Sequence, residues 1–224
     1  CLDVCDAVHC SNDATCNTTV CKIVRVVPTE SIHVELTWDT PADSNQFDEG
    51  DFLGSDLDLH FLHTFAAGDD LNSDGKLDGW FDMKWDCFWM NKNPAWEGTG
   101  DDDDPSLDRD DMDGAGPENI NLDLPVNGRF YRIGVDYWDD HGFGPSYPRI
   151  KIYIYGVLVY DRNLKSEGKQ LTECQMWEAA RIIWGPSPKV ESADVDGKLN
   201  IIKGALYKHC EHTTASDWGS YWGY

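Results

Sequence analysis

Composition narrows the possible classes of this 224-residue chain. Its 41 acids against 18 Lys and Arg give a formal net charge of −23, which disfavours binding to nucleic acid or to an anionic membrane surface. High net charge is typical of disordered chains, but ten Trp, nine Tyr and eight Phe can supply a substantial core. We therefore expect one large folded domain, with or without a small appendage.

Five of the eight cysteines lie in the first 21 residues, a segment too short for a core of its own. The spacing lacks the paired CxxC of a zinc ribbon and the even total allows full pairing, so we expect disulfides and an extracellular or cell-surface location. A lipid anchor on Cys1 is disfavoured because it would leave seven thiols. The connectivity and the use of the sequon at Asn17 stay open. The cysteines expected to be oxidised are Cys1, Cys5, Cys10, Cys16, Cys21, Cys87, Cys174 and Cys210.

Apolar residues recur at every second position along most of the later chain, which predicts strands with one buried face. An additional apolar strand is predicted at 23–27, before Pro28. Few segments have helical periodicity, and the Glu-Ala-Ala-Arg stretch near residue 179 is flanked by residues that favour a strand. The alternating segments are 32–38, 57–61, 120–122, 130–138, 150–154, 157–160 and 176–184, and more weakly 87–90 and 198–202.

Short alternating strands separated by turn signals predict an all-β fold. We expect an antiparallel immunoglobulin-like or jelly-roll-type β-sandwich with long acidic loops and a short disulfide-rich N-terminal segment. The expected organisation is a cysteine-rich segment and strand at 1–29, the β-sandwich at 30–184, and a C-terminal extension at 185–224 with an aromatic tail.

The acidic run from Asp70 to Asp82 is the most specific motif in the chain. Oxygen donors occupy loop positions 1, 3, 5 and 9, Gly75 stands at position 6, and position 7 offers a carbonyl, which is the order of a calcium loop. Position 12 is Phe81, so we expect a calcium loop without EF-hand helices. The alternative is a solvated turn, because turns favour Asp, Asn and Gly. The expected Ca²⁺ ligands are Asp70, Asn72, Asp74, Asp78, the carbonyl of Lys76 and, as a further ligand, Asp82.

Two more groups of acids are candidate cation ligands. A second acidic loop contains Asp108, Asp110 and Asp113, whose spacing resembles a compressed cation loop. Asp56 and Asp58 lie two residues apart on one strand face and would add ligands from the scaffold. A solvated loop and the polar face of an edge strand are the respective alternatives.

Catalytic patterns are weak. His60 and His63 form an HxxH, but residues three apart on a strand point to opposite faces and cannot share a zinc ion without a bulge. Asp139-Asp140-His141-Gly142 is an ordinary turn composition, and no serine has the setting of a nucleophile. We therefore expect no enzymatic activity and no catalytic residue.

Four motifs in order carry a resemblance to a known family. They are Thr37-Trp-Asp-Thr40, Ser55-Asp-Leu-Asp-Leu-His60, the stretch from Leu107 to Ile120, and Tyr137-Trp-Asp-Asp-His-Gly-Phe-Gly-Pro145. They resemble the YfaP-like family, secreted or periplasmic bacterial β-sandwich domains of uncharacterised function, over about residues 30–184. Residues 21–28 resemble the last strand of a PKD-type domain. The resemblance implies a fold and a location but no catalytic residues.

Together these observations predict an extracellular, calcium-stabilised structural module that assembles with copies of itself into a fibre or surface layer. Residues 22–28 would add to the sheet of a neighbour, and the tail from Trp218 to Tyr224 would fill a groove on it. The main alternative is a carbohydrate-binding module that uses Trp85, Trp89 and Trp96, with glycans as partners. A hydrolase is a distant third. No integral membrane span is expected.

Overall fold

The computed structural model describes residues 30–47, 53–68, 70–98, 100, 102–112 and 114–202, which form two antiparallel β-sheets. The strands are β1 (Ile32–Asp39), β2 (Asp56–His63), β3 (Asp86–Cys87), β4 (Ser106–Arg109), β5 (Glu118–Leu122), β6 (Phe130–Asp139), β7 (Tyr147–Ile154), β8 (Val157–Asn163), β9 (Met176–Ile183), β10 (Lys189–Ser192) and β11 (Asn200–Ile202). One sheet has the order β4-β5-β1-β7-β8 and the other β10-β9-β6-β2-β3, with β11 also pairing with β9. The predicted all-β sandwich is confirmed. No helix in this described part is long and apolar enough to cross a membrane.

The alternation along each strand builds the main core between the sheets. In β1, buried residues at Ile32, Val34, Leu36 and Trp38 alternate with half-buried ones. The inner residues of β2 and β6 meet this layer from the second sheet. Each fully buried aliphatic or aromatic side chain contributes about 1.5–3 kcal/mol. The pattern read from the sequence therefore identifies the face of each strand that holds the sandwich together.

A second, smaller core covers the outer face of the second sheet. The long excursion between β2 and β3 folds back over that face and packs large apolar side chains against it. This layer explains why outward-pointing polar residues of β2 and β6, including Asp58, His60 and Asp136, are buried. The residues of this second core are Leu62, Leu71, Trp80, Phe81, Phe88, Met176 and Ile202.

Several local predictions are settled by the strands. The segment with Glu-Ala-Ala-Arg is a strand, β9, and Tyr155-Gly156 is the tight turn between β7 and β8, with positive φ at both residues (48° and 70°). The strand expected at 87–90 is shorter, because the chain turns back after Cys87 and Phe88 bridges to Asn91. β10 and β11 pair with β9, so the sandwich continues past residue 184 as far as 202.

The cysteine prediction needs a correction. Cys87 is a free, buried thiol rather than half of a disulfide. It points into the main core, where its Sγ donates to the carbonyl of Lys92 at 3.3 Å, and burial raises its pKa well above the usual value. Cys174 is disulfide-bonded. The other six cysteines, the predicted strand at 23–27 and the aromatic tail lie outside the described residues.

Candidate cation site

Carboxylates from separate elements converge at one corner of the sandwich. Asp58 in β2, Asp110 after β4 and Glu118 at the start of β5 each offer an oxygen within 4.8 Å of the others. Across the β2–β6 pair, Asp58 lies opposite Asp136, and Asp56, the first residue of β2, lies close enough for Asp110 and Asp136 to add to the rise in its pKa that burial causes. Like charges directly opposite each other destabilise a sheet. We call Asp56, Asp58, Asp110, Glu118 and Asp136 the acidic cluster.

The cluster forms because the first half of β2 has an open edge. β3 pairs with Phe61 and Leu62 of β2, and no other strand of the described residues covers the earlier part of β2 on that side. Glu118 fills the position instead: its Oε2 accepts the N–H of Leu59 at 2.6 Å, and its Oε1 accepts the N–H of Asp111 at 3.1 Å. A carboxylate oxygen has two lone pairs, so each oxygen of Glu118 keeps one for another partner.

Burial makes the ionised form of this cluster costly. It raises the pKa of Asp56, Asp58 and Glu118 well above the ordinary values, and the neighbouring carboxylates raise each pKa further. The backbone N–H groups that Glu118 accepts partly oppose this rise. One cationic side chain reaches the rim, where Lys92 Nζ lies 3.0 Å from Asp110 Oδ2. The cluster therefore has far more negative charge than its positive neighbour offsets.

A cavity of about 290 Å³ opens beside the cluster. Asp56, Asp58 and Asp110 form its acidic side, and two tryptophans form an aromatic corner, with ring centroids 5.5 Å apart and planes at 64°. Asp56 Oδ1 is shielded from solvent and has no hydrogen-bond partner. The tryptophans are Trp89 and Trp138, and Met112 completes the lining.

Three of the scaffold and second-loop candidates meet here, and one of the described candidates does not. Asp56, Asp58 and Asp110 belong to the cluster. Asp108 is exposed on β4, where it accepts hydrogen bonds from Ser106 and Asn121, and a register shift between Leu107 and Arg109 interrupts the regular strand beside it. Asp108 is not in the described group of acids whose ligand atoms lie within 4.8 Å of one another, so the structure does not bring it together with Asp110. Asp113 lies outside the described residues.

The loop from Asp70 to Asp78 is a separate structure, held by its own hydrogen bonds. Asp70 accepts the N–H groups of Asp74 and Gly75, Asp78 accepts that of Leu71, and Gly75 has the positive φ (85°) that the tight turn requires. Buried Leu71 anchors the loop in the second core. The acids of the loop are not among the described groups whose ligand atoms approach within 4.8 Å. The loop has the expected turn but not a closed set of carboxylates.

Asp82 does not act as an additional ligand of that loop. Its Oδ2 accepts the N–H groups of Ala67 and Gly68, and its Oδ1 accepts those of Lys84 and Trp85. Four donors use the roughly four lone-pair sites of a carboxylate. Asp82 therefore holds both ends of the excursion in place, and its role as a further Ca²⁺ ligand stays a prediction.

Two members of the cluster were missed by sequence reasoning. Glu118 shares the parity of the core residues Ile120 and Leu122, so the alternation already directed it inward. Asp136 interrupts the buried stretch of β6, between Val135 and Tyr137. The sequence therefore did contain two indications of buried acids: Glu118 alternates in step with core residues, and Asp136 lies within an apolar strand.

His60 and His63 lie on opposite faces of β2, as predicted, and so pack in different cores. His60 Nδ1 lies 2.7 Å from Asp86 Oδ2, with both side chains fully buried, and stacks on Phe88. His63 faces the other way and stacks on Trp85, and burial lowers its pKa. This arrangement follows from the strand period, in which residues three apart point to opposite faces.

A second acidic group, Asp139, Asp140 and Glu173, is half-buried at the β6–β7 turn. Asp139 and Asp140 each accept a backbone N–H two residues ahead, so turn formation accounts for these side chains. The neighbouring His141 has positive φ (43°), and its Nδ1 lies 2.6 Å from the carbonyl of Gly54. This segment is the turn that its composition indicated.

Comparison with known proteins gives no further information, since no family model, no curated protein and no solved structure matches the chain. The resemblance to the YfaP-like domains stays a prediction.

Proposed function

We propose that this protein is a calcium-stabilised structural module that works outside the cell. The observation that supports the proposal is the convergence of Asp58, Asp110 and Glu118 within 4.8 Å at a buried corner where both sheets contribute. Buried ionised carboxylates are retained when they are paired or coordinate a metal. A bound cation would join β2, β4 and β5, and so would tie the two sheets together.

The donor chemistry favours Ca²⁺ over other metals. All five members of the acidic cluster are oxygen donors, and neither cysteine nor histidine is among them, which disfavours zinc. Ca²⁺ accepts six to eight oxygens in flexible geometry, whereas Mg²⁺ requires a near-ideal octahedron and retains several waters. A crowded, mostly buried site suits the ion that gives up water more readily. The Asp70–Asp78 loop is proposed as a second and weaker calcium site.

The experiment is a metal titration of the purified chain followed by calorimetry and thermal unfolding. Saturating Ca²⁺ at 100 times the dissociation constant contributes about 2.7 kcal/mol. For a domain of this size that is a rise in Tm of about 5–11 °C, since each kcal/mol shifts Tm by about 2–4 °C. A chelator should reverse the rise. If Tm is the same with Ca²⁺ and with chelator, and no heat of binding is found, the proposed function is wrong.

A role in self-assembly is supported by β8. This strand ends its sheet and has β7 as its one neighbour among the described residues. Val157, Leu158 and Val159 are 60%, 43% and 48% exposed, and a long apolar edge strand is a template for pairing with another chain. The start of β1 lies close to the turn between β7 and β8, where the carbonyl of Ser31 accepts the N–H of Tyr155 at 3.0 Å. We propose that the apolar segment 23–27 of a second copy pairs with β8.

Sedimentation velocity with calcium present tests this pairing. Val157→Lys combined with Val159→Lys should convert oligomers into folded monomers, because charged edges repel added strands. Leu124→Lys, at a residue that is 59% exposed but lies outside the strands, is the matched control and should leave the oligomers intact. A wild-type chain that stays monomeric at high concentration would refute the assembly role.

A further inference from the structure

We propose that the cavity beside the acidic cluster binds a neutral sugar ring, whose hydroxyl groups complete the coordination of the cation. This inference rests on the proposed function, because it assigns a ligand class to the same site. It also changes the carbohydrate alternative, since Trp89 is joined by Trp138 instead of by Trp85 and Trp96.

The first argument is the combination of surfaces in the cavity. Trp89 and Trp138 form an aromatic corner, and the acidic residues Asp56, Asp58 and Asp110 line the other side. Aromatic rings bind the apolar C–H face of a sugar, while the hydroxyl oxygens of the sugar can coordinate a bound cation. A volume of about 290 Å³, near the lower end of the usual range for ligand pockets, suits one small ring.

The second argument is the unpaired polar atoms on residues of that lining. Asp56 Oδ1 needs a donor and Trp89 Nε1 needs an acceptor, and neither has a hydrogen-bond partner. An unpaired buried polar group costs about 1–3 kcal/mol. Both atoms are shielded from solvent, so a ligand in the cavity reaches them only after the lining side chains shift. A hydroxyl both donates and accepts, so a ligand rich in hydroxyl groups can then serve both atoms.

The third argument is charge. The acidic cluster carries several carboxylates, and one Ca²⁺ neutralises two negative charges. The remaining field repels an anionic ligand such as a sugar acid or an acidic peptide. The neighbouring Met112, which is 55% exposed, adds an apolar rim and no positive charge. A neutral polyhydroxyl ligand is therefore favoured over a charged one.

The aromatic residues expected from the sequence separate into two groups. Trp96 is 7% exposed and stacks on Tyr131 inside the main core, and Trp85 stacks on His63. Of the three expected tryptophans, only Trp89 lines the cavity. Trp138, which comes from β6, takes the second position.

The test is calorimetric titration of the calcium-loaded full chain with a panel of neutral methyl hexosides, with glucuronate as the charged comparison. At least one hexoside should bind more tightly than glucuronate, and chelation should abolish its binding. Trp138→Ala should weaken it at least fivefold while leaving the calcium-induced rise in Tm unchanged. Trp85→Ala, outside the cavity, is the matched control and should retain hexoside binding.

The outcomes separate this inference from the proposed function. If calcium raises Tm but no hexoside binds, or binding survives Trp138→Ala, the sugar site is wrong and the calcium module stands. If calcium has no effect on Tm, the proposed function fails. Hexoside binding that is indifferent to chelation would overturn the cation-bridged site.

Discussion

Replacing Asp58 with Asn should change the calcium-free and the calcium-loaded protein in opposite directions. Asp58 has carboxylate oxygens at most 4.8 Å away, and two unit charges at that distance repel by about 3.5 kcal/mol at an effective dielectric of about 20. Partial protonation relieves some of this repulsion, so we expect Asp58→Asn to stabilise the calcium-free protein by about 1–3 kcal/mol. That corresponds to a rise in Tm of about 2–12 °C. The amide of Asn has two donors and can give them to the neighbouring carboxylates.

The same substitution removes a charged ligand from the proposed site, so the calcium-dependent rise in Tm should be largely lost. Thermal unfolding in chelator and in saturating Ca²⁺, for wild type and variant, gives the four values required. Asp108→Asn is the matched control: it removes one acid from the same region, but at an exposed residue that bonds Ser106 and Asn121. An Asp58→Asn variant that is less stable in chelator, or that responds to calcium like wild type, would refute the reasoning.

Three further predictions concern pH, packing and thiols. The raised pKa values of the cluster contribute stability that is present below about pH 4 and lost as pH rises through them, so in chelator Tm should be higher at pH 5 than at pH 7.5. The lowered pKa of His63 has the opposite effect, because it reduces stability as pH falls below about 6.5. The pH dependence of the wild-type Tm is therefore compared with that of Asp58→Asn, since the His63 contribution is the same in both proteins. An equal pH dependence in both proteins would contradict the prediction. Gly134→Ala should lower the free energy of unfolding by about 1–3 kcal/mol, because a Cβ there would lie 2.7 Å from the ring of Trp80. Chemical denaturation measures this loss. Gly185→Ala is the control and should show no such loss, because nothing lies within 4 Å of a Cβ at that position. Cys87 should resist a thiol reagent in the folded protein and react once the chain is denatured without reductant; a mass spectrum that places it in a disulfide would contradict this.

The fold was predictable because a two-residue period identifies a strand and its buried face at the same time. β1 and β7 follow the alternation closely, and the apolar residues on one face of each pack into the main core. The second core was not predictable, because the excursion over the outer face of the sheet has no period. Trp80 and Phe88 are buried there by long-range packing, and local sequence does not specify which sheet face they cover.

The candidate site was predictable in part for the same reason. Asp56 and Asp58 could be assigned to one face of a strand, but the partner of that face depends on which loop reaches it. Glu118 and Asp110 come from positions some 50 residues further along the chain, on the other sheet. Their proximity to β2 follows from the open edge that β3 leaves uncovered, which is a property of the whole topology.

The position of the acidic cluster suggests how the proposed function depends on location. Buried like charges oppose folding unless a cation binds, so stability and calcium binding are one linked equilibrium at this corner. Calcium sites of extracellular modules have dissociation constants of about 10⁻⁴–10⁻³ M. With an affinity in that range, the corner would be loaded where calcium is abundant and empty where it is scarce. The two sheets would then be fastened together only after the chain reaches a calcium-rich environment, and assembly through β8 would follow the same condition.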